Sequence, residues 1–434
     1  MHADRHNRAP YAGSNKRALH VDQNVRLLQM HAVCINMCFI IPIIIPYYRD
    51  RMGLGFDDFL LGEAAFAATL VLLEVPSGWL SDVWKRRHVL LLGTLFEMLG
   101  YGLLLVADGL WMAVAAQSVI GVGISLISGT NSALLYDSLL SEGREAEYRR
   151  HEGRRMGVGL YSVAAASMAG GLLYAVDARL PVLLSLVTLG AGAVCAAMLH
   201  EPERHRRAAQ RHPLADMLET ARYALSGHVE LGLVIVFAAL MFSATKVVMW
   251  SQQPYYMAMG LGEHVYGLLM AAGFVLGGAS SHFAHLLDGR VSNLKALLGV
   301  WLLGVVCCVG ASQSLGVMGG WAGAGMLMLA GTCLYGLAAP RVSEVVNRHA
   351  GSERRATILS TQSLLCALVF MPLSLLMGRA EKDHGVDGML LGMALWLCLA
   401  GLCLMLWCLR RRLRARRHAA VQRRKLAAAF SAVV

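Results

Sequence analysis

Long apolar runs separated by short polar stretches dominate the chain. Twelve such runs stand out, near residues 27–48, 58–80, 88–107, 111–139, 157–177, 181–199, 231–258, 264–286, 292–311, 317–339, 356–377 and 389–409. Each is close to the roughly 20 residues that a helix needs to cross the hydrocarbon of a bilayer. All are too long for barrel strands and lack period-two alternation. The pattern predicts an all-α membrane protein with twelve transmembrane helices.

The longest polar stretch, residues 200–230, falls between the sixth and seventh runs. Its Leu214, Met217, Leu218, Ala221 and Leu225 recur at helical spacing, which predicts a helix lying on the cytoplasmic membrane surface. The organisation that follows is a cytoplasmic tail (1–26), a six-helix bundle (27–199), a central loop (200–230), a second bundle (231–409) and a basic tail (410–434). The halves look alike. "GWLSD" starts at Gly78 after the second run, and "GASSH" starts at Gly278 after the eighth. "YDSLLSEGREAEYRRHEGRR" and "PRVSEVVNRHAGSERR" both close on an Arg pair. Such weak repetition predicts two pseudo-symmetric bundles, as in transporters built from duplicated halves.

Composition agrees with a lipid environment. The chain is 56% hydrophobic and 15% charged, against about 25% charged in soluble domains. The 45 glycines suit close helix packing in lipid. Of the 39 Lys and Arg, 33 lie in the two tails and in alternate loops, whereas the other loops hold only Arg49, Arg51, Arg179, Arg379 and Lys382. This bias orients both termini to the cytoplasm of a bacterial inner membrane. The tail "RRRLRARRHAAVQRRK" is read as a contact with anionic lipid, not with nucleic acid. The N-terminus is polar and basic, so the first run itself serves as the insertion signal. The ten cysteines sit in apolar runs without C-x-x-C spacing and are expected to be buried thiols. No Walker motif, catalytic triad or metal-ligand spacing is found, so no ATP-driven pump, enzyme, metal or cofactor is expected.

Ionisable side chains inside apolar runs are costly and are functional candidates by default. Four stand out: Glu74, Glu97, Lys246 and His31. Each also has a structural reading. Glu74 lies close to the inner interface, Glu97 suits a helix-packing pair, and Lys246 can snorkel to water. His31 can be a hydrogen-bonded packing residue, or a proton relay. In "KVVMWSQQPYYMAMG", Trp250 and Gln252 are cavity candidates, Tyr255 and Tyr256 fit an outer aromatic belt, and Pro254 is a candidate helix break. Asn36, and the stripe Ser125, Ser128, Asn131 and Ser132, either line a cavity or bind helices together.

The stretch "EVPSGWLSDVWKRR", residues 74 to 87, carries a resemblance. It is similar to the loop signature G-x-L-a-D-r-x-G-r-r of the major facilitator superfamily, matched by Gly78, Leu80, Asp82, Arg86 and Arg87 and departed from at Val83 and Lys85. Residues 25 to 410 as a whole resemble a transporter of that superfamily. "EVPSG", "NSALLYDSL" and "RATILS" look like its bacterial efflux branches. "ASMAGG", Ala166 to Gly171, keeps the Gly-Gly of the exporters' G-P-x-x-G-G pattern and lacks the Gly-Pro. The resemblance implies a monomeric secondary transporter of a small molecule working by alternating access. Asp82 would latch the halves on the cytoplasmic side, with Arg86 or Arg87 pairing with Asp137 or Glu142. The expected function is proton-coupled export of a drug, metabolite or siderophore, with Glu74, Glu97 or His31 carrying the proton and Lys246 holding an acidic group on the cargo. Import of an anionic nutrient, or a membrane sensor or scaffold that does not transport, are the alternatives.

Overall fold

The computed structural model describes residues 11–202, 219, 222–223, 228–287, 291–315, 320–349 and 355–431. Among these residues the regular structure is helical throughout. Eleven helical stretches are long and apolar enough to cross a membrane, and the last, Ile358–Arg410, has 53 residues. A straight helix of that length would run about 80 Å, against about 30 Å of hydrocarbon. It does not stay straight. Gly385 interrupts it at φ 72°, ψ 178°, and beyond it the chain doubles back, so that a Cβ on Gly392 would stand 3.9 Å from Met377 Cε. The positive φ at the reversal is why a glycine stands there. This helix therefore holds the last two of the twelve runs.

The first run is divided. Helix α1 (Tyr11–Asn36) gives way to a 3-10 turn (Ile41–Ile43) and then to α2 (Ile44–Met52). Pro42 in the turn lacks an N–H. The backbone freed by the break is answered from α8 (Leu180–Ala197): Phe39 N donates to Ser185 Oγ at 3.0 Å and Thr188 Oγ1 donates to Met37 O at 3.3 Å. Irregular backbone at membrane depth needs such partners. Next come α3 (Phe56–Val83), α4 (Arg86–Val106) and α5 (Leu110–Ile127). The fourth run is also broken, because Gly129 takes φ 74° before α6 (Thr130–Leu140) begins. Helix α7 spans Tyr148–Val176.

The second half contains α9 (Val229–Ala258), α10 (Glu263–Phe283), α11 (Asn293–Ser314), α12 (Gly320–Met328), a π turn (Leu329–Cys333), α13 (Leu334–His349) and α14 (Arg355–Ser431). The break expected at Pro254 is absent. Helix α9 runs through it, packed against α13 and α14, which hold it in line despite the missing N–H. The surface helix expected over residues 200–230 falls largely outside the described residues. Cys398 and Cys403 are exposed on α14 and so depart from the expectation of burial.

The chain forms two compact units that cut across the sequence halves. One comprises Met1–Gly53, Leu72–Gln210 and Glu263–Ala271; the other comprises Leu54–Val71, Arg211–Gly262 and Ala272–Val434. In the first unit α4 packs along α5 and α8, and α1 packs on α7 and α8. The α4–α5 seam is built on glycine: a Cβ on Gly123 would stand 2.6 Å from Gly93 O and 2.7 Å from Glu97 N. Close backbone approach of this kind replaces the hydrophobic effect as glue in lipid. Val25, Leu28, Leu90, Leu134, Leu139 and Leu199 form part of its core. In the second unit α14 packs on α9 and α11, pinned where Trp301 Nε1 donates to Leu397 O at 3.0 Å.

Candidate functional site

Three polar groups interrupt these apolar helices. The first is the loop between α3 and α4. Arg86 pairs with Asp137 on α6 and donates to Ala133 O at 3.0 Å. Asp82 sits 3.5 Å from Arg86 and is 75% exposed. Arg87 turns away and reaches Leu199 O at 3.4 Å. Of the two arginines, then, Arg86 meets the acid on the fourth run. The amides of Arg86 and Arg87 both donate to the Glu201 carboxylate, at 3.0 and 3.1 Å. An anion here completes two of the orphan donors at the α4 N-terminus and complements its dipole. Sequence reading missed Glu201; the sign available was an acid two residues past the end of an apolar run. Gly78 is exposed and a Cβ there would meet nothing within 4 Å, so packing does not demand the glycine.

The second group lies deeper in the same unit. His31 is fully buried, with Nε2 at 2.9 Å from Thr94 Oγ1. The Thr94 hydroxyl donates to Leu90 O at 2.9 Å. Its oxygen is therefore left to accept, which makes His31 Nε2 the donor and leaves Nδ1, which has no partner, without a proton in the neutral ring. Asn36 donates to Ala32 O at 2.8 Å and lies against Gly159. Asn131, just after the break in the fourth run, is buried with Oδ1 unmatched. Beside it Ser132 donates to Glu152 at 2.7 Å, and Arg155 grips the same carboxylate at 2.7 and 2.9 Å. The stripe is thus divided, because Ser125 turns back to Val122 O. Glu152 and Arg155 read as loop charges in the sequence, yet they belong to α7 and are largely buried. Glu97 is enclosed at the α4–α5 seam, its Oε2 without a partner. Glu74 is half-buried, and among the described residues it makes no ion pair.

The third group lies in the second unit. Lys246 on α9 meets Glu63 on α3, Nζ to Oε2 at 2.8 Å. Its ammonium also lies 4.2 Å from the centre of the Phe370 ring and 5.2 Å from that of Phe66. Phe59, Glu63 and Phe66 share one face of α3 by their spacing of four and three residues. Phe59 meets Trp250 edge-on at 5.0 Å. A lone charge at the bilayer centre costs on the order of 3 kcal/mol on insertion scales; the carboxylate and the two ring faces offset that cost for Lys246. Glu63 was also missed in the sequence. It follows Asp57 and Asp58 closely enough to read as one more acid at the interface.

Trp250 and Gln252 lie in this unit on the same helix as Lys246. Both are buried. Gln252 donates to Leu327 O at 3.4 Å, accepts from Tyr256 at 3.2 Å, and abuts Gly331 in the π turn. Tyr255 and Tyr256 do not form an aromatic belt. Both are fully buried, and Tyr255 OH donates to Ala311 O at 3.2 Å. Their hydroxyls find partners in the protein interior instead of at the headgroups.

Residues 28–371 match the family model of the Major Facilitator Superfamily. The chain belongs to the Major Facilitator Superfamily. Its fold is shared with known transporters. The nucleoside transporter NupG superposes with a TM-score of 0.71 at 11% identity, covering 89% of this chain and 99% of its own. A bacterial homologue of the human lysosomal transporter Spinster, solved inward-facing and unoccupied, gives 0.69 at 12%, covering 93% and 98%. A D-xylose-proton symporter gives 0.64 at 10%, covering 87% and 97%. No curated protein matches the chain. As a member of this superfamily the protein is a multi-pass membrane secondary transporter.

Proposed function

We propose that this transporter is a proton-coupled exporter of a small organic molecule, working by alternating access in a bacterial inner membrane with both termini cytoplasmic. The observation that carries the proposal is the Glu63–Lys246 pair. It joins the second run to the seventh, one from each half of the sequence, inside apolar helices. A proton arriving on Glu63 neutralises it and frees Lys246, so proton and cargo are linked through one pair of side chains. Differential binding of this kind is what allows a ligand to shift a conformational equilibrium. Glu97 is a second proton carrier in this reading, since nothing described neutralises it. Asp82, Arg86 and Asp137 form the cytoplasmic latch. The export direction rests on the efflux-like stretches "EVPSG", "NSALLYDSL" and "RATILS". The cytoplasmic termini rest on the distribution of Lys and Arg.

The test uses everted vesicles with an acidic lumen. Addition of an exported solute should dissipate the pH gradient with the native chain and fail to do so with Glu63→Gln. Identical traces from the two would end the proton-coupling assignment. Import of an anionic nutrient is the second reading. It is favoured by Lys246 being the more exposed member of the pair, at 33% against 7%, and by a proton symporter standing among the fold neighbours. Uptake by whole cells that exceeds loading of everted vesicles would select it.

A further inference from the structure

We infer that the cargo is an organic anion with an aromatic or broad apolar body, whose acidic group takes Lys246 from Glu63. This rests on the transporter reading above and adds the chemical class of what is carried. Lys246 is one-third exposed while Glu63 is almost closed off, so an incoming charged group meets the ammonium first. Between residues 241 and 256 of α9 the partly open positions are Phe242, Lys246 and Met249, spaced by four and three residues, while Ser243, Ala244, Val247 and Val248 beside them are buried. The opening is therefore one narrow stripe with the ammonium in its middle. A charged group on that stripe belongs to a wet surface, not to lipid.

The surroundings define the rest of the ligand. Phe370 and Phe66 stand around the ammonium. One step along the stripe, Phe242 packs against the half-exposed Tyr335 with ring centres 4.7 Å apart. A carboxylate or similar acid held by Lys246 would have its organic body lying among these rings, where flat apolar groups stack well. A cationic ligand has no such place. It would have to displace Lys246 to reach Glu63, and would face the ammonium on the way.

The experiment uses the purified full chain in lipid nanodiscs and isothermal calorimetry with three probes of one shape: 2-naphthoate, 2-naphthamide and 2-naphthylmethylamine. Naphthoate should bind at least tenfold more tightly than the other two. Glu63→Gln should tighten naphthoate binding severalfold, because the internal competitor has lost its charge. Lys246→Met should abolish the preference for the acid. Since that variant leaves a carboxylate buried alone, the double variant K246M/E63L, which replaces the pair by apolar groups of similar volume, provides a folded control. It should raise no preference for naphthoate either. Equal binding of acid and amide, tightest binding of the amine, or an acid preference surviving in the double variant would each overturn the inference. Naphthoate binding without any effect of a pH gradient would count against proton coupling and leave the cargo class standing. Proton-driven flux of other solutes with no naphthoate binding would do the reverse.

Discussion

Asp137 and Asp82 both face Arg86, and their neutralisation should have opposite consequences. The Arg86 and Asp137 side chains are only 13% and 20% exposed. In Asp137→Asn the guanidinium keeps the bond to Ala133 O and the distant Asp82 but loses its charge partner. Removing one member of a buried pair costs about 3–5 kcal/mol. The remaining solvent access and the acceptor oxygen of asparagine reduce this to about 2–3 kcal/mol. Asp82 is 75% exposed at 3.5 Å, so Asp82→Asn removes a surface interaction of about 0–1 kcal/mol. For a unit of this size 1 kcal/mol moves a melting temperature by about 2–4 °C. Melting followed by tryptophan fluorescence in one detergent should therefore fall by about 4–12 °C for Asp137→Asn and by no more than about 4 °C for Asp82→Asn. The double variant R86M/D137L should recover most of the loss, since an apolar pair can replace a buried ionic one. Asp82→Asn should nonetheless lose transport in the vesicle assay, because its proposed role is in gating. The reasoning fails if the two single variants melt alike, or if Asp82→Asn melts lower than Asp137→Asn.

Three further outcomes are expected. Gly123→Leu should drive α4 and α5 apart, since the new Cβ meets backbone atoms at 2.6 and 2.7 Å; overpacking costs typically about 1–3 kcal/mol, and lowered melting should be seen against an unchanged Gly190→Leu, where nothing lies within 4 Å. Glu97→Gln should leave melting unchanged or raised, since it discharges a buried acid whose Oε2 has no partner; a fall of more than about 5 °C would reveal dependence on the charge. Asp57 and Lys382 meet at 2.7 Å; cysteines at these sites, joined by a short bis-maleimide in a chain otherwise free of cysteine, should stop transport if α3 and α14 must part there during the cycle, and full flux after cross-linking would refute that motion.

The number and type of the long elements were legible because length and apolarity alone decide them. The breaks were not. Ser128–Gly129 and Met37–Ile40 lie inside apolar runs, and only α8 shows how the freed backbone of the second is satisfied. Ser185 on α8, which nothing in its apolar run marks out, serves another helix's freed amide. The site was legible in its cation and not in its anions. Lys246 stands alone in a long run and draws notice. Glu63 sits near the start of its run behind two aspartates, and Glu152 and Arg155 hide in a loop-like charged stretch that α7 draws inward. Trp250 and Gln252 were singled out for polarity at membrane depth. Packing absorbs both, through Phe59 for one and the π turn for the other.

The repeat between the halves is one of position, not of chemistry. In the first half the loop end supplies the guanidinium, Arg86, and the broken fourth run supplies the acceptors, Asp137 and Ala133 O. In the second half α13, just past the tenth run, supplies the guanidinium, Arg341, which is 3% exposed and reaches Asn293 at 3.0 Å and Ala284 O at 3.3 Å on the loop side. Both joints fasten a loop to a long helix, and both do so through arginine, whose planar fork can take a side chain and a backbone carbonyl at once. Lysine would serve neither place as well, because a single ammonium lacks that fixed geometry. The two joints thus meet one mechanical requirement with the donor on opposite sides.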